Sequence, residues 1–260
     1  MTTYAETATD TRPGDGYRTA DGRIDLAAAH RLAVRDDLHE GTWNHLSLTD
    51  PEDPSAILIS PSYVHWSQVT ASSLEILGPD ESAAKRDLAL WVAYRIHYPL
   101  HQARPDAKAV LHVHSPYVVA LSMLDVKLNT AEQNAIGFHD KVSYTPEYDG
   151  LWPDDLEQGR RMAEALGPDN TVLMLRSHGA VVVGETVGRA YTNVYLLERA
   201  ARTQILAMST GLPLLNLSDA QLDAFFNKEW VPVDSKLDYH EEHFQAMKRV
   251  LDREQPDYRD

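Results

Sequence analysis

The sequence of 260 residues contains no cysteine. Disulfides and thiolate-ligated metal sites are therefore excluded, and any metal site has to be built from histidine, aspartate or glutamate. Basic residues are scarce as well, because 24 Lys and Arg stand against 39 Asp and Glu, which gives a formal net charge of −15. Such a charge is repelled by phosphate backbones, so we expect no nucleic-acid partner.

Long apolar runs are also missing. No stretch approaches the roughly 20 apolar residues of a membrane span, and no basic-then-apolar leader opens the chain. We therefore expect no membrane partner and a cytoplasmic location. The hydrophobic share of 43% nevertheless predicts a folded globular protein with a sizeable core.

Apolar runs that end at glycine or proline alternate with segments of helical apolar spacing, which predicts a layered α/β/α domain. We expect residues 1–23 to be a mobile arm and residues 24–215 to form the domain. Residues 216–260 are expected to be an extension packed on the domain or on a neighbouring subunit. The predicted helices cover 24–38, 81–103, 117–124, 153–166 and 188–210. The predicted strands cover 56–60, 72–77, 109–114, 171–175 and 180–184, and a further short strand follows a turn within 40–47.

One predicted strand carries histidine at alternate positions, His112 and His114, within an apolar run that stops at Pro116. Successive side chains of a strand point to opposite faces, so these two imidazoles share one face, about 6–7 Å apart. Two imidazoles placed in this way can bind one metal ion. The spacing also suits ordinary strand histidines, and by itself it leaves both interpretations open.

His178 is the best candidate for a third ligand, because it lies in a turn that directly follows the apolar run 171–175. Three histidines with an open fourth position are typical of catalytic zinc sites, whereas structural sites are closed by a fourth residue. Imidazole binds zinc, manganese and iron, so the pattern does not select the metal.

Four motifs occur in order: GTWNHLS at 41–47, LISPS at 58–62, RPDAKAVLHVHSP at 104–116 and RSHG at 176–179. In this combination the chain resembles the class II aldolase/adducin family over about residues 24–210. The resemblance implies a three-layer α/β/α sandwich with a mostly antiparallel central sheet, and a homotetramer with active sites between subunits. It also implies a divalent metal on His112, His114 and His178, with zinc expected ahead of Fe(II) or manganese.

The chain departs from the sugar-phosphate aldolases of that family. They carry a glutamate one helical turn before the position of His97, where this chain has Ala93. Their phosphate-binding turn has Gly-Asn where this chain has Asn44-His45, and a glycine where it has Tyr63. Glycine leaves backbone amides open to phosphate, whereas tyrosine is expected to crowd them. These departures argue against a sugar-phosphate aldolase and resemble the bacterial adducin-like branch.

Two residues are candidates to replace the missing glutamate in proton transfer. His139 and Tyr148 lie in the irregular segment 129–150; imidazole titrates near neutrality, and a tyrosine hydroxyl can donate a proton to an enolate. His97 is a further catalytic candidate, at the rim of the pocket, with a core histidine as the alternative. The residues predicted to bind substrate are Asn44, His45, Ser60, Ser62, Tyr63, His65 and Arg176, the last as a ligand of a carboxylate.

The leading hypothesis is a metal-dependent carbon–carbon lyase that decarboxylates a small oxo- or hydroxy-acid, or cleaves it by a retro-aldol reaction. A metal stabilises the enolate that either reaction leaves, and decarboxylation needs no base to start it. The alternatives are a non-haem Fe(II) oxygenase acting on an organic acid and a non-enzymatic adducin-like scaffold. Retention of all three histidines favours an enzyme over the scaffold.

Overall fold

A seven-stranded sheet forms the centre of the molecule in the computed structural model, which describes residues 21–146, 148, 156–222 and 238–260. The strands are β1 (His45–Thr49), β2 (Ile57–Ile59), β3 (Glu75–Leu77), β4 (Ala109–Val113), β5 (Val142–Tyr144), β6 (Val172–Leu175) and β7 (Gly179–Gly184). Their spatial order is β3-β2-β1-β4-β7-β6-β5, and every neighbouring pair is antiparallel except β5 with β6.

Helices cover both faces of the sheet. One face packs against α1 (Gly22–Arg35), α4 (Pro116–Ser122), α6 (Val187–Met208) and α7 (Tyr239–Glu254) in the larger apolar core. The other face packs against α2 (Glu81–Lys85), α3 (Leu88–Ala103) and α5 (Glu157–Leu166) in two smaller clusters. The predicted three-layer α/β/α sandwich with a mostly antiparallel sheet is confirmed. No described helix combines the length and the apolar character that a bilayer span requires.

The central strand β4 divides its side chains between these two layers. Leu111 and Val113 belong to the core under α6, whereas Val110 packs with α3 and α5. His112 shares the face of Val110 because strand side chains alternate. The strand is buried along its whole length, so a rigid part of the fold holds His112, which lies within it, and His114, which follows it directly.

Several element predictions need correction. The single helix predicted over 81–103 is two helices, because the Asp87 side chain accepts hydrogen bonds from the amides of Ala89 and Leu90 and starts a new one. The strand predicted over 72–77 begins only at Glu75, after a 3-10 turn. Strand β5 was not predicted, because its three residues are all half-buried and show no alternation.

Both ends of the predicted domain differ in detail from the structure. Gly22 and Arg23, assigned to the mobile arm, already belong to α1, because Asp21 caps that helix with its side chain. The rest of the predicted arm, residues 1–20, lies outside the described residues. Helix α7, in the predicted extension, packs against α1 and α6 of the same chain.

Candidate metal centre

Three histidines meet at one edge of the sheet. His112 is the second-last residue of β4, His114 follows that strand directly, and His178 lies in the turn between β6 and β7. One nitrogen from each ring lies within 4.8 Å of the other two. His112 is fully buried, whereas the other two are half-buried at the molecular surface. The structure therefore brings together the three residues that the sequence predicts as ligands.

Hydrogen bonds fix which nitrogen each strand histidine offers. His112 donates from Nδ1 to the Ala180 carbonyl oxygen at 3.1 Å, and His114 donates from Nδ1 to a Glu40 carboxylate oxygen at 2.6 Å. A neutral imidazole carries one hydrogen, so both rings keep the lone pair on Nε2. Such second contacts are typical of metal-bound histidines.

The two Nε2 atoms lie 3.0 Å apart. Two facing lone pairs repel, whereas a positive charge between them, either a proton or a metal ion, would make the contact favourable. A proton bridges only two nitrogens, whereas a metal ion also accounts for the third ring of His178. Two nitrogens bound at 2.0–2.1 Å to one tetrahedral zinc lie about 3.3 Å apart, close to the separation found here. The donor set thus fits a divalent ion.

The protonation states agree with this role. Burial is the main cause that holds the pKa of His112 well below its usual range, and the neighbouring histidines act in the same direction. Burial, followed by the effect of His114, lowers the pKa of His178 to about 4. Both rings are therefore neutral near pH 7, as metal ligands must be.

The turn that carries His178 depends on two unusual backbone conformations. Ser177 has φ +54°, and Gly179 has φ +154°, where a Cβ atom would lie 2.4 Å from the Val113 carbonyl oxygen. Only glycine fits so close to β4. The amide of His178 donates to the hydroxyl oxygen of Ser122, which ties the turn to α4. The RSHG motif thus places His178 next to the end of β4.

Glu40 is a site residue that the sequence reasoning missed. Its carboxylate holds His114, and its backbone amide donates to the side-chain oxygen of Asn44 at 2.7 Å. Asn44 is buried, and its Nδ2 has no hydrogen-bond partner among the described residues. Asn44 therefore shapes the loop that presents Glu40. No spacing in the sequence marks Glu40, since its role depends on the path of this loop.

Two buried histidines, His45 and His97, lie behind the triad. His45 is opposite His112 in the β1–β4 register, and the two ring centroids are 5.0 Å apart. The Nδ1 atom of His45 lies 2.8 Å from Nε2 of His97, which is fully buried. The core interpretation of His97 is therefore the one that the structure supports, and this residue reaches the site only through His45.

The polar side chains of the turn after β2 form hydrogen bonds with other residues of the same chain. The Ser60 hydroxyl lies 2.6 Å from Nε2 of His30, and the Ser62 hydroxyl donates to Asp87. His65 caps a short 3-10 helix with its ring nitrogen. Tyr63 has φ +57° and is 68% exposed, so the turn keeps a left-handed backbone that favours glycine while the ring lies mostly in solvent. The substrate contacts of these residues stay predictions.

The remaining candidates occupy different places. Tyr148 is half exposed, with its ring centroid 6.5 Å from that of His178. Arg176 precedes His178 and lines a cavity of about 280 Å³ together with Ser122. His139 lines another cavity, and the walls of both cavities include none of the three histidines. Of the three catalytic candidates, Tyr148 and, through His45, His97 lie near the triad in the part of the chain that the structure describes.

Comparison with known proteins gives consistent results. Residues 24–205 match the family model described as the Class II Aldolase and Adducin N-terminal domain. An adducin-related protein of Schizosaccharomyces pombe is 30% identical over 75% of this chain, and alpha-adducin of Mus musculus is 31% identical over 88%. The chain spans 61% of the length of the first relative and 33% of the second.

Solved structures agree in fold. An aldolase II superfamily protein from Pseudomonas syringae is 30% identical, with a TM-score of 0.80 over 92% of this chain and 95% of that one. The L-fuculose 1-phosphate aldolase of Glaciozyma antarctica is 24% identical, with a TM-score of 0.74 over 92% of each chain. The second likeness concerns the fold alone.

Proposed function

Because the chain belongs to the class II aldolase and adducin family, we propose that it is a metal-dependent carbon–carbon lyase acting on a small oxo- or hydroxy-acid. The observation that carries this proposal is the convergence of three imidazole nitrogens at the sheet edge, two of them with their hydrogens fixed on the far side of the ring. A scaffold has no need for such an arrangement.

His112, His114 and His178 would hold the ion, and Glu40 would hold His114. The chemistry that a divalent ion supplies in such a site is Lewis-acid stabilisation of negative charge on a substrate oxygen. Three neutral ligands leave the full charge of the ion available for this purpose. Zinc is the expected metal, and Fe(II) or manganese also suits imidazole ligands.

Arg176 is the residue that we assign to the substrate carboxylate. It adjoins the turn of His178, and its side chain is half exposed at the cavity described above. Among the residues that the structure describes, its acidic partner is Asp125, at 3.9 Å, and that side chain is 97% exposed. A solvent-screened contact of this length leaves the guanidinium free to form a bidentate pair with a ligand.

Decarboxylation fits the site better than sugar-phosphate cleavage. Ala93, at the position of the aldolase glutamate, is buried in the apolar cluster of α2, α3 and β2. No carboxylate is therefore available there to remove a proton. Loss of carbon dioxide creates the carbanion without a base, and only a proton donor is needed afterwards. The hydroxyl of Tyr148, near His178, is the donor that we assign.

Metal content and product formation test this proposal together. We expect about one divalent ion per chain, and release of carbon dioxide from 3-oxo-acids or of an aldehyde from 4-hydroxy-2-oxo-acids, because only these substrates leave an enolate on an oxygen that the ion can bind. His178→Ala should abolish both, because it removes one of three ligands. His243→Ala, which removes a half-buried histidine from α7, should change neither. Full metal occupancy in His178→Ala combined with its loss in His112→Ala would disprove the site.

A non-enzymatic scaffold is the second candidate, because the relatives include adducins. It predicts a folded protein that binds no stoichiometric metal. Oxygen uptake after reconstitution with Fe(II) would instead indicate an oxygenase built on the same three histidines. The two measurements, metal content and oxygen consumption, separate these alternatives from the lyase.

A further inference from the structure

A cavity of about 280 Å³, called the α4 cavity, lies between the end of α4 and the ends of β5 and β6. Ser122 in its wall accepts a hydrogen bond from the His178 amide, so the cavity adjoins the turn that carries this proposed metal ligand. Drug-sized ligands usually occupy pockets of about 300–1,000 Å³. The α4 cavity therefore suits a smaller molecule.

The sheet register explains why the walls of this cavity meet. Tyr144 of β5 lies beside Met174 of β6, and the Thr145 amide donates to the Met174 carbonyl oxygen. The Arg176 amide donates to the Thr145 hydroxyl oxygen at 2.9 Å, which ties the end of β6 to the end of β5. Leu121 of α4 packs in the same apolar core as Met174. The cavity is thus built on regular secondary structure.

Part of the cavity wall is apolar. Leu121 and Met174 are buried, whereas Leu124 and Val126 line the cavity and are exposed at 41% and 39%. A ligand that covers these two side chains removes their apolar surface from water, which is favourable. The wall therefore suits a ligand with an apolar part.

The hydroxyl groups of the cavity have hydrogens to donate. The Tyr144 hydroxyl accepts from the Leu128 amide at 2.9 Å, and the Thr145 hydroxyl accepts from the Arg176 amide. An amide N–H can only donate, so each hydroxyl keeps its own hydrogen for another acceptor. Burial raises the pKa of Tyr144, so its hydroxyl is protonated near pH 7. Neither hydrogen has an acceptor among the described residues.

Positive charge adds to these two donors. Arg176 and Lys127 line the cavity, against one carboxylate, that of Asp125, which is 97% exposed and lies 3.9 Å from Arg176. Lys127 has no acidic partner in the part of the chain that the structure describes. This local excess of positive charge occurs in a chain with a formal net charge of −15. The polar part of the wall therefore suits an anion, such as a carboxylate.

We propose that the α4 cavity binds a small organic acid, with its carboxylate on Arg176 and Lys127 and its apolar chain against Leu124 and Met174. For one step the inference rests on the proposed function: the bound acid is then the substrate, held by a carboxylate remote from the reacting carbon. A separate acid that binds beside the metal centre has the same chemistry, and the experiments below distinguish the two sources.

Binding is tested by NMR of the full chain with ¹³C-labelled methionine methyl groups, in the presence of a chelator. Met174 lines the α4 cavity, whereas Met162 lines a different one and serves as the internal control. We expect hexanoate to shift the Met174 signal and leave that of Met162 in place. Hexylamine, which has the same chain length and the opposite charge, should shift neither. An unchanged Met174 signal with hexanoate, or an equal shift with hexylamine, would overturn the proposal.

Inorganic phosphate tests the role of the apolar chain in the same titration. Phosphate offers the negative charge without a chain, so it should bind more weakly than hexanoate. Binding of phosphate as tight as that of hexanoate would show that the cavity recognises charge alone, and would overturn the assignment to an organic acid.

Two variants test the donors, and a third is the control. Arg176→Gln should weaken hexanoate binding by about tenfold or more, and Tyr144→Phe by about two- to tenfold, because a bond to a charged donor is worth more. Arg86→Gln changes an arginine of similar exposure, paired with Glu75 at the opposite edge of the sheet, and should have no effect. Equal weakening by both arginine variants would indicate a general charge effect and contradict the site.

Zinc distinguishes the substrate from a separate acid. 2-Oxoadipate carries one carboxylate for the cavity and, at its other end, an oxo-acid group that can bind a metal ion. If the substrate occupies the cavity, zinc should tighten the binding of 2-oxoadipate, measured at Met174, but not that of hexanoate. Equal affinities with and without zinc would assign the cavity to a separate acid. Failure to bind zinc would contradict the proposed function, while the metal-free titration with hexanoate still decides the cavity.

Discussion

At the scale of single residues, the candidate site depends on both nitrogens of each imidazole. One nitrogen faces the proposed ion, and the other decides whether a lone pair is available there. For His112 this second nitrogen is held by a backbone carbonyl, which no substitution of a side chain removes. For His114 it is held by Glu40, a side chain that can be changed without disturbing the core.

We expect Glu40→Gln to weaken metal binding by about 10- to 100-fold, the usual cost of removing such a contact. An amide can present its NH2 group to His114 in place of an acceptor oxygen, and the hydrogen of the His114 ring is then no longer fixed on Nδ1. The side chain of Glu40 is 59% exposed, so the free energy of unfolding of the metal-free protein should not change measurably. Competition with a zinc chelator measures the affinity.

Glu254→Gln is the matched control for this prediction. Glu254 is also exposed and also paired, with Arg35, but it lies in α7 away from the triad. It should bind zinc with the affinity of the unchanged protein. An equal loss of affinity in both variants would indicate a general effect of charge and would remove Glu40 from the site.

At the scale of secondary-structure elements, sequence patterns identified most strands and helices and the three triad residues. His112 and His114 could be predicted because strand alternation puts them on one face, and RSHG could be assigned to a turn. Which face of α3 meets β1 could not be predicted, because it is decided by packing between elements far apart in sequence. The hydrogen bonds that join His45 and Ser47 of β1 to the histidines of α3 were therefore missed. The alternation of polar residues in β1 and the i, i+4 spacing of histidines in α3 are nevertheless both visible in the sequence.

The extension was predicted to pack on the domain or on a neighbouring subunit, but its contact with α1 in particular could not be predicted, because the main polar link joins residues 223 positions apart. Lys248 of α7 donates to the carboxylate of Asp25 in α1, and both side chains are nearly buried. Burial raises the pKa of Asp25, and Lys248 only partly offsets this effect. The pair is therefore sensitive to loss of either partner.

We expect Lys248→Met to lower the free energy of unfolding by about 3 kcal/mol, because it leaves the Asp25 carboxylate buried without its cation. The double variant Asp25→Asn with Lys248→Met should recover part of that loss. Urea unfolding at pH 7 measures both. If the double variant were as unstable as the sum of the two single variants, the side chains would not interact.

At the scale of the whole molecule, three large aromatic side chains stay exposed in a single chain, and one of them, Tyr148, lies near the triad. Trp43 is 77% exposed, Tyr63 68% and Tyr148 51%. Exposed aromatic residues are typical of protein–protein contact surfaces. We therefore propose that the protein is a homo-oligomer in which another subunit covers these aromatic side chains.

Light scattering should give about four times the chain mass of 29.2 kDa, the tetramer that the family resemblance implies. Trp43→Asp should shift the protein toward smaller species, because a charge would then face the partner. Tyr239→Asp changes another exposed aromatic residue, at the start of α7, and should leave the mass unchanged. A monomeric mass for the unchanged protein would contradict the proposal.

Stability of the whole molecule should fall as the solution is acidified from about pH 6.5 to pH 4. His30 is fully buried between the Leu26 carbonyl and Ser60, and burial lowers its pKa to about 4, against 6.5 for an exposed histidine. Between these two values the unfolded chain binds a proton that the folded chain does not, so protons favour unfolding in this window. Above pH 6.5 neither state is protonated at His30, and its contribution is constant.

This one group should cost about 3 kcal/mol of stability over the window, since each pKa unit corresponds to about 1.4 kcal/mol. Urea unfolding at several pH values, with a chelator present to remove linkage to metal binding, measures the slope. His30→Gln should make that slope shallower by about one proton, because the amide does not titrate. Carboxylates with lowered pKa values, such as Asp106, lose their contribution only below the exposed value of 3.8, so they do not mimic this effect. Equal slopes for the unchanged protein and His30→Gln between pH 6.5 and pH 4 would show that His30 is protonated as easily in the folded protein as in water.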